Sequence, residues 1–386
     1  MFLTADPQDI LDGKITDVYF ERALEIMKAK GVNPVVKAEF IAKSLPKAWP
    51  WALLTGVGEV LELARHLKIK VRAMREGAVF HAYEPVIEIE GRYQDFCVYE
   101  TALLGLLCQA SGISTQAARM KKLAGDRLVM SFGARRMHPV LAPMIERNAY
   151  VGGCDGVAVV KSGEVIGEDP MGTMPHSLVL CMGSTLAAIT AYDEVLDPKL
   201  RRVALIDTFQ DEKFETLNVA QALGTRLAAV RFDTPGSRRG DFFRILEETR
   251  WELELRGLGH VQFFVSGGIT EEDIPKLNPV VHGYGIGTSI SNAPVIDLAM
   301  DIVEIDGTPI AKRGKWSGSK RVLVCARCGT RKIVPNNGGD VDACACGGVF
   351  NDALVPAMDN GKELVAQDSP ARIRESVLQA VKDLIL

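Results

Sequence analysis

VQFFVSGGITEEDIPKLNPVVHGYGIGTSIS, residues 261–291, decides the reading of the fold. Twice a short apolar run ends in glycines, VQFFV in SGG and VVHGY in GIGT. The first run alternates too little for a half-exposed strand and is too short for a helix, so a strand buried on both faces fits it. Between the runs, TEEDIPKL predicts a helix capped at Thr270 with acidic residues in its first turn. The whole reads as a βαβ unit with glycines at the carboxyl end of each strand. Glycine there lets backbone N–H groups come close to an anion, and a helix N-terminus adds positive potential. Glycine loops at the ends of successive strands are a common phosphate site of (β/α) barrels. Ser266, Gly267, Gly268, Gly285, Gly287 and Thr288 are therefore the expected phosphate-binding residues. The plain alternative is a pair of ordinary tight turns.

The same pattern extends upstream. LVMSFGARR, RVALIDTFQDE and LAAVRFDTPGSRRGD each take a short apolar strand into polar residues, with ends near 133, 207 and 232. With 266 and 286 this is the rhythm of roughly 20 to 35 residues expected of β/α units. The wider gap, 134–202, holds GGCDGVAVV and HSLVL, which supply one or two further units. Chemistry in such folds gathers at the carboxyl ends of strands, which singles out Arg135, Arg136, Asp207, Thr208, Arg231 and Asp233.

Three parts are expected. Residues 1–115 form a mixed α/β domain, 116–300 an incomplete (β/α) barrel, and 301–386 a return strand, a zinc module and a last helix. In the first, KITDVYFERALEIMKAKG predicts a helix entered at Thr16 or Asp17 and stopped near Gly31. TGVGEVLELARHLKI predicts a second, and VRAMREGAVFHAYEPVIEIEG antiparallel strands with Pro85 at an edge or strand start. DFCVYETALLGLLCQASGISTQAARMKKLAG predicts a helix that breaks near Gly112. At the other end, SPARIRESVLQAVKDLIL predicts an amphipathic helix capped by Ser369, with Pro370 in its first position.

Cys325 and Cys328 form a C-x-x-C pair, and Cys344 and Cys346 a tighter C-x-C. Four thiolates so spaced suit a tetrahedral structural Zn2+ and leave no open position for catalysis. From Lys312 to Lys332 the chain carries eight Lys or Arg residues and no acid. Beside a zinc module this keeps a nucleic-acid-binding protein as an alternative of another class, though with no aromatic platform beyond Trp316 a solvated or phosphate-facing surface is the better account of it. A net charge of −4 gives no general attraction to nucleic acid or acidic membranes. No stretch approaches the roughly 18 apolar residues of a membrane span, and the N-terminus has no signal-peptide pattern, so a cytoplasmic enzyme is expected.

Arginines, aspartates and glycine loops at strand ends suit a small anionic substrate beside a phosphorylated one. In order, the chain carries TDVY (16–19), SFGARR (131–136), GGCDG (152–156), GTMPHS (172–177), LIDTF (205–209), RFD (231–233) and GYGIGT (283–288). This series resembles the nicotinate phosphoribosyltransferases, and more widely the type II phosphoribosyltransferases that include the quinolinate and nicotinamide enzymes. The likeness spans about residues 10 to 320 and looks closest to a shorter archaeal type with a zinc-binding tail.

The resemblance implies formation of nicotinate mononucleotide and pyrophosphate from nicotinate and phosphoribosyl pyrophosphate, with Mg2+ on the pyrophosphate. It implies that the pyridine ring stacks between Phe132 and a Tyr19 contributed by a neighbouring subunit, so that a homo-oligomer, a dimer or a dimer-based hexamer, shares its sites. Arg135 or Arg136, together with Arg231, would meet the substrate carboxylate and phosphates. Asp233 would meet the ribose hydroxyls, Asp207 and Thr208 would stand beside it, and His176 would take a phosphoryl group from ATP. One departure is VAVV after GGCDG, where the nicotinate enzymes usually carry a small polar run. Asp155 is able to accept an amide N–H, which keeps nicotinamide open, and SGG followed by ITEEDI also occurs in quinolinate enzymes.

Overall fold

The structure, a computed structural model, describes residues 2–339 and 341–386. They divide into two compact units, Met1–Thr115 with Pro294–Leu386, and Gln116–Ala293.

The first unit is built on a seven-stranded sheet in which both ends of the chain take part. Val35–Ala42 lies between Leu298–Ile305 and Pro85–Arg92, antiparallel to each. Ile69–Ala73 and then Val355–Asp359 continue the sheet. Residues 301–386 thus do not stand apart as a third body, because two of their strands complete hydrogen-bond ladders begun by the N-terminal segment. Pro85 opens a strand with neighbours on both sides, the one place where a central strand tolerates its missing N–H. Phe40, Leu54, Leu63, Val71, Phe80, Ile89 and Leu103 fill the core against this sheet.

Val18–Lys30 is helical from Asp17 to a left-handed Gly31, as its sequence predicts. Glu100–Ala124, however, runs unbroken through Gly112. A Cβ on Gly112 would stand 2.2 Å from the Pro294 carbonyl oxygen, so this glycine marks a close backbone approach and not a break. By length and composition this is the one helix among the described residues apolar enough to cross a membrane, but Leu103, Leu107, Ile113, Ala117 and Met120 are all buried in the protein.

The second unit is a six-stranded, wholly parallel sheet, curled as a half-barrel. Its order is Gly156–Val157, Leu128–Ser131, Gly283–Ile286, Gln262–Val265, Leu227–Phe232 and Arg202–Leu205. All five strand ends predicted from the sequence belong to it, and GGCDGV supplies the sixth. HSLVL does not: His176–Met182 is a helix entered from Pro175 and stopped at left-handed Gly183. Thr270 is not a helix cap either. Its N–H and hydroxyl both donate to the Asp273 carboxylate at 2.9 and 2.8 Å, and the helix that follows is only Asp273–Leu277. On the outer face, Phe263 meets Phe232 edge-to-face with centroids 5.1 Å apart, and Phe242 and Leu246 of Phe242–Leu255 pack nearby in the same buried layer.

Candidate active site

His176 is the centre of the polar cluster at the carboxyl ends of the strands. Its Nδ1 lies 3.0 Å from Thr208 Oγ1, and its Nε2 lies 3.4 Å from Asp233 Oδ2 and 3.8 Å from Asp207 Oδ2. The two ring nitrogens thus face different partners, the aspartate carboxylates at Nε2 and the Thr208 hydroxyl at Nδ1. The imidazole is 39% exposed, whereas the Asp207 side chain is 3% exposed. Burial pushes the Asp207 carboxyl above its usual range, the nearby Asp233 charge adds to this, and His176 opposes it. Asp207 Oδ1 is buried without a hydrogen-bond partner.

Arg231, at the end of Leu227–Phe232, donates from Nη1 to Thr173 Oγ1 at 2.6 Å and stands 3.8 Å from Asp233 Oδ2. Its guanidinium carbon is 5.9 Å from the centre of the Phe132 ring. Burial lowers its pKa, but a guanidinium keeps its proton at neutral pH. Phe132 and Arg231 sit on a cavity of about 270 Å³ that is otherwise mainly apolar, with Met130, Met171, Val203 and Phe264 on its wall. Lys199 and Arg201, its other cations, precede the strand Arg202–Leu205 and so belong to the amino end of the sheet. Gly283 and Gly285 face this interior. A Cβ on Gly283 would meet the Phe264 ring at 2.4 Å, and one on Gly285 the Phe132 ring at 2.4 Å. Gly285 is a buried strand residue that makes room for Phe132, while Tyr284 between them is core, its hydroxyl 2.7 Å from Asn278 Oδ1.

The SGG loop has the form expected of an anion site. Gly267 and Gly268 are both left-handed, with φ of 82° and 76°. A Cβ on Gly267 would lie 2.9 Å from the Asp233 carbonyl oxygen. Ser266 Oγ donates to Asp233 Oδ1 at 2.5 Å, tying this loop to the RFD strand end. Gly287 precedes the single turn Thr288–Ser291, with Thr288 exposed.

Other expected residues fall elsewhere. Arg135 and Arg136 share an exposed turn, and Arg135 is the one whose charge is felt at Arg231. Asp155 is engaged within the fold. Its carboxylate accepts from Lys121 Nζ and from Val129 N, both at 2.8 Å, beside the start of the strand Leu128–Ser131. Tyr19 lies in the first unit, 58% exposed on Val18–Lys30. The sulfur atoms of Cys325, Cys328, Cys344 and Cys346 all lie within 4.8 Å of one another, in and beside a three-stranded sheet. Much of the basic run beside them is paired internally, Lys320 with Glu39 at 2.8 Å, Arg331 with Glu84 at 2.6 Å, and Lys312 and Lys315 with Asp301. Thr173 and Arg239, which holds the SGG loop, were not predicted. Thr173 lay inside a quoted motif, but Arg239 in PGSRRGD reads as a solvated loop cation.

Two family profiles match the chain: the N-terminal domain of quinolinate phosphoribosyl transferase over residues 17–111 and its C-terminal domain over 113–301. The chain belongs to that family, the type II phosphoribosyltransferases. Within it, the chain stands with the nicotinate phosphoribosyltransferases. One from Mycobacterium tuberculosis is 28% identical over 396 residues, covering 90% of this chain and 82% of that protein. A solved structure from Pyrococcus furiosus, described as a nicotinate-nucleotide pyrophosphorylase, is 47% identical with a TM-score of 0.97, covering 100% of this chain and 99% of that one. That match includes the tail beyond residue 301, where the family profiles end. Human nicotinic acid phosphoribosyltransferase shares the fold, with a TM-score of 0.75 at 18% identity over 95% of this chain and 93% of that one.

Proposed function

We propose that the protein joins nicotinate to phosphoribosyl pyrophosphate, giving nicotinate mononucleotide and pyrophosphate for NAD synthesis. The observation that carries this is Arg231, held beside the Phe132 ring at the carboxyl end of an apolar cavity whose other cations, Lys199 and Arg201, lie toward the amino end of the sheet. A flat ring with one carboxylate matches that pairing, since a guanidinium fork suits one carboxylate. Quinolinate would bring a second carboxylate to a ring flanked at this end by Arg231, and nicotinamide would bring no charge for Arg231 to meet.

The pyridine nitrogen lone pair forms the bond to ribose C1′ while the C1′–O bond breaks and its electrons leave on pyrophosphate. No general base is needed, so positioning and charge stabilisation do the catalytic work. Phe132 orients the ring, Asp233 meets the ribose hydroxyls, and the N–H groups of the SGG loop and of Gly287 and Thr288 hold phosphate. Asp207 and Asp233 suit Mg2+, because Asp207 Oδ1 is a buried acceptor with no partner in the protein. Bound there, the ion would supply positive charge for the departing pyrophosphate. His176, exposed and backed by two aspartates and Thr208, suits transient phosphorylation by ATP. The four clustered thiols suit structural Zn2+. An exposed Tyr19 on a unit other than the one that carries Phe132 suits a homo-oligomer, dimeric or dimer-based, in which each site is completed by a neighbour. A cytoplasmic setting and no nucleic-acid partner complete the proposal.

The test is to incubate the protein with nicotinate, phosphoribosyl pyrophosphate and Mg2+ and identify products by mass spectrometry. Equal amounts of nicotinate mononucleotide and pyrophosphate are expected, and Arg231→Met should raise KM for nicotinate at least tenfold, about 1.4 kcal/mol of lost carboxylate binding. Turnover of nicotinate by Arg231→Met with an unchanged KM would remove the reading's foundation.

A further inference from the structure

Arg239 makes contacts that neither the fold's packing nor the reaction chemistry above explains. It sits in the loop between Leu227–Phe232 and Phe242–Leu255, its guanidinium 4.7 Å from the Phe242 ring centre. Its Nε donates to the Thr234 carbonyl at 2.7 Å. Its Nη2 donates to the Ser266 carbonyl at 2.6 Å and also to the Gly267 carbonyl. One side chain therefore holds the loops that follow two adjacent strands of the half-barrel, and in the second it holds two consecutive peptide carbonyls.

The consequence follows from peptide geometry. In a planar trans peptide the C=O and the following N–H point in opposite directions. Fixing the carbonyls of Ser266 and Gly267 on Arg239 turns the N–H groups of Gly267 and Gly268 away from it, both to the other side of the loop. Two consecutive N–H groups then face the same side of the loop, and oriented backbone donors of this kind bind anions. Among the described residues, neither N–H donates to another backbone carbonyl. Without a cation behind it, this loop of two glycines is free to rotate its peptides and lose the alignment.

We propose that Arg239 is a positioning residue that sets the Ser266–Gly268 peptides as a phosphate cradle for the phosphoribosyl substrate. The inference rests on the phosphoribosyl transfer proposed above. Arg239 touches no reacting atom; its effect is on how well the phosphorylated substrate is held, and not on the pyridine.

The test compares wild type with Arg239→Met and Arg239→Lys, in kinetics and in calorimetric titration with inorganic phosphate. Arg239→Met should raise KM for phosphoribosyl pyrophosphate about tenfold or more, the loss of about one charge-assisted hydrogen bond, with KM for nicotinate changed less than twofold. Phosphate affinity should fall in parallel, and Arg239→Lys, able to hold one carbonyl at a time, should lie between. Unchanged phosphate affinity and an unchanged KM for phosphoribosyl pyrophosphate in both variants would overturn the proposal, as would equal losses in both KM values. If the wild type transfers no phosphoribosyl group, the activity fails on its own, and phosphate titration still decides the role of Arg239. If Arg239→Met does not fold, Arg239→Lys decides it by the same two measurements.

Discussion

At the scale of single residues, Asp207 carries a conflict between stability and function. Its carboxyl is buried with one oxygen unpaired, and burial raises its folded-state pKa above the ordinary 3.8. The ionised form therefore costs stability at neutral pH, a cost that fades as pH falls through the raised value and is gone below the ordinary one. Asp207→Asn should raise Tm at pH 7 while lowering kcat, with the Tm gap narrowing toward pH 4; thermal melts across pH check it. A gap that widens on acidification would mean that the carboxylate is stabilised where it stands. His176→Asn should abolish acid-labile phosphate incorporation from ATP yet leave a basal rate of mononucleotide synthesis, measured with labelled ATP. The motif GTMPHS made His176 legible, although it opens a helix, and LIDTF and RFD pointed to its partners because each of those two sits at a strand end. The internal partners of Asp155 were not legible, because its motif names a loop and not an orientation; only the fold reveals Lys121 and the Val129 N–H beside it. Arg239 was illegible because its partners are backbone carbonyls, which carry no sequence signature.

At the scale of elements, the parallel strands were readable from apolar runs that end in glycine or acid. What misled was punctuation. Gly112 reads as a breaker, yet the helix passes through it because its missing side chain admits the chain returning at Pro294. Gly112→Ala would raise helix propensity in isolation by about 1 kcal/mol. Here it should instead destabilise by roughly 1–3 kcal/mol, since the new methyl overlaps a carbonyl. Urea denaturation checks it, and a stabilised variant would show that the approach is loose. HSLVL matched a short apolar run, the pattern that does not separate a strand from one helical turn. Pro175 before it and Gly183 after it were the signals that favoured the helix.

At the scale of the whole molecule, the unread feature was how the tail rejoins the start. Long-range antiparallel pairing between residues 35–42 and 298–305 has no local signal. The cysteine pairs were legible from spacing alone. Beyond them, Arg331 on Glu84, Lys320 on Glu39 and Arg72 on both Glu88 and Asp352 tie this segment to the first unit's sheet. If the four thiols hold the proposed structural Zn2+, Cys328→Ser should lose one Zn2+ per chain by elemental analysis and, through these ion pairs, lower Tm of the whole first unit, whereas a purely local effect would leave Tm unchanged. The proposed sharing of sites between subunits makes a further demand: mixing Tyr19→Ala with Asp233→Asn, each nearly inactive, should restore activity as hybrid oligomers form, with one intact site per mixed pair.

The most direct measurement is a competition in one vessel. Nicotinate, nicotinamide and quinolinate at equal concentration meet limiting phosphoribosyl pyrophosphate and Mg2+, and the nucleotides and released carbon dioxide are quantified together. A ring site with Arg231 beside Phe132 predicts nicotinate mononucleotide in step with pyrophosphate, no amide nucleotide, and no carbon dioxide. Carbon dioxide released in step with pyrophosphate, or the amide nucleotide as the main product, would contradict the account.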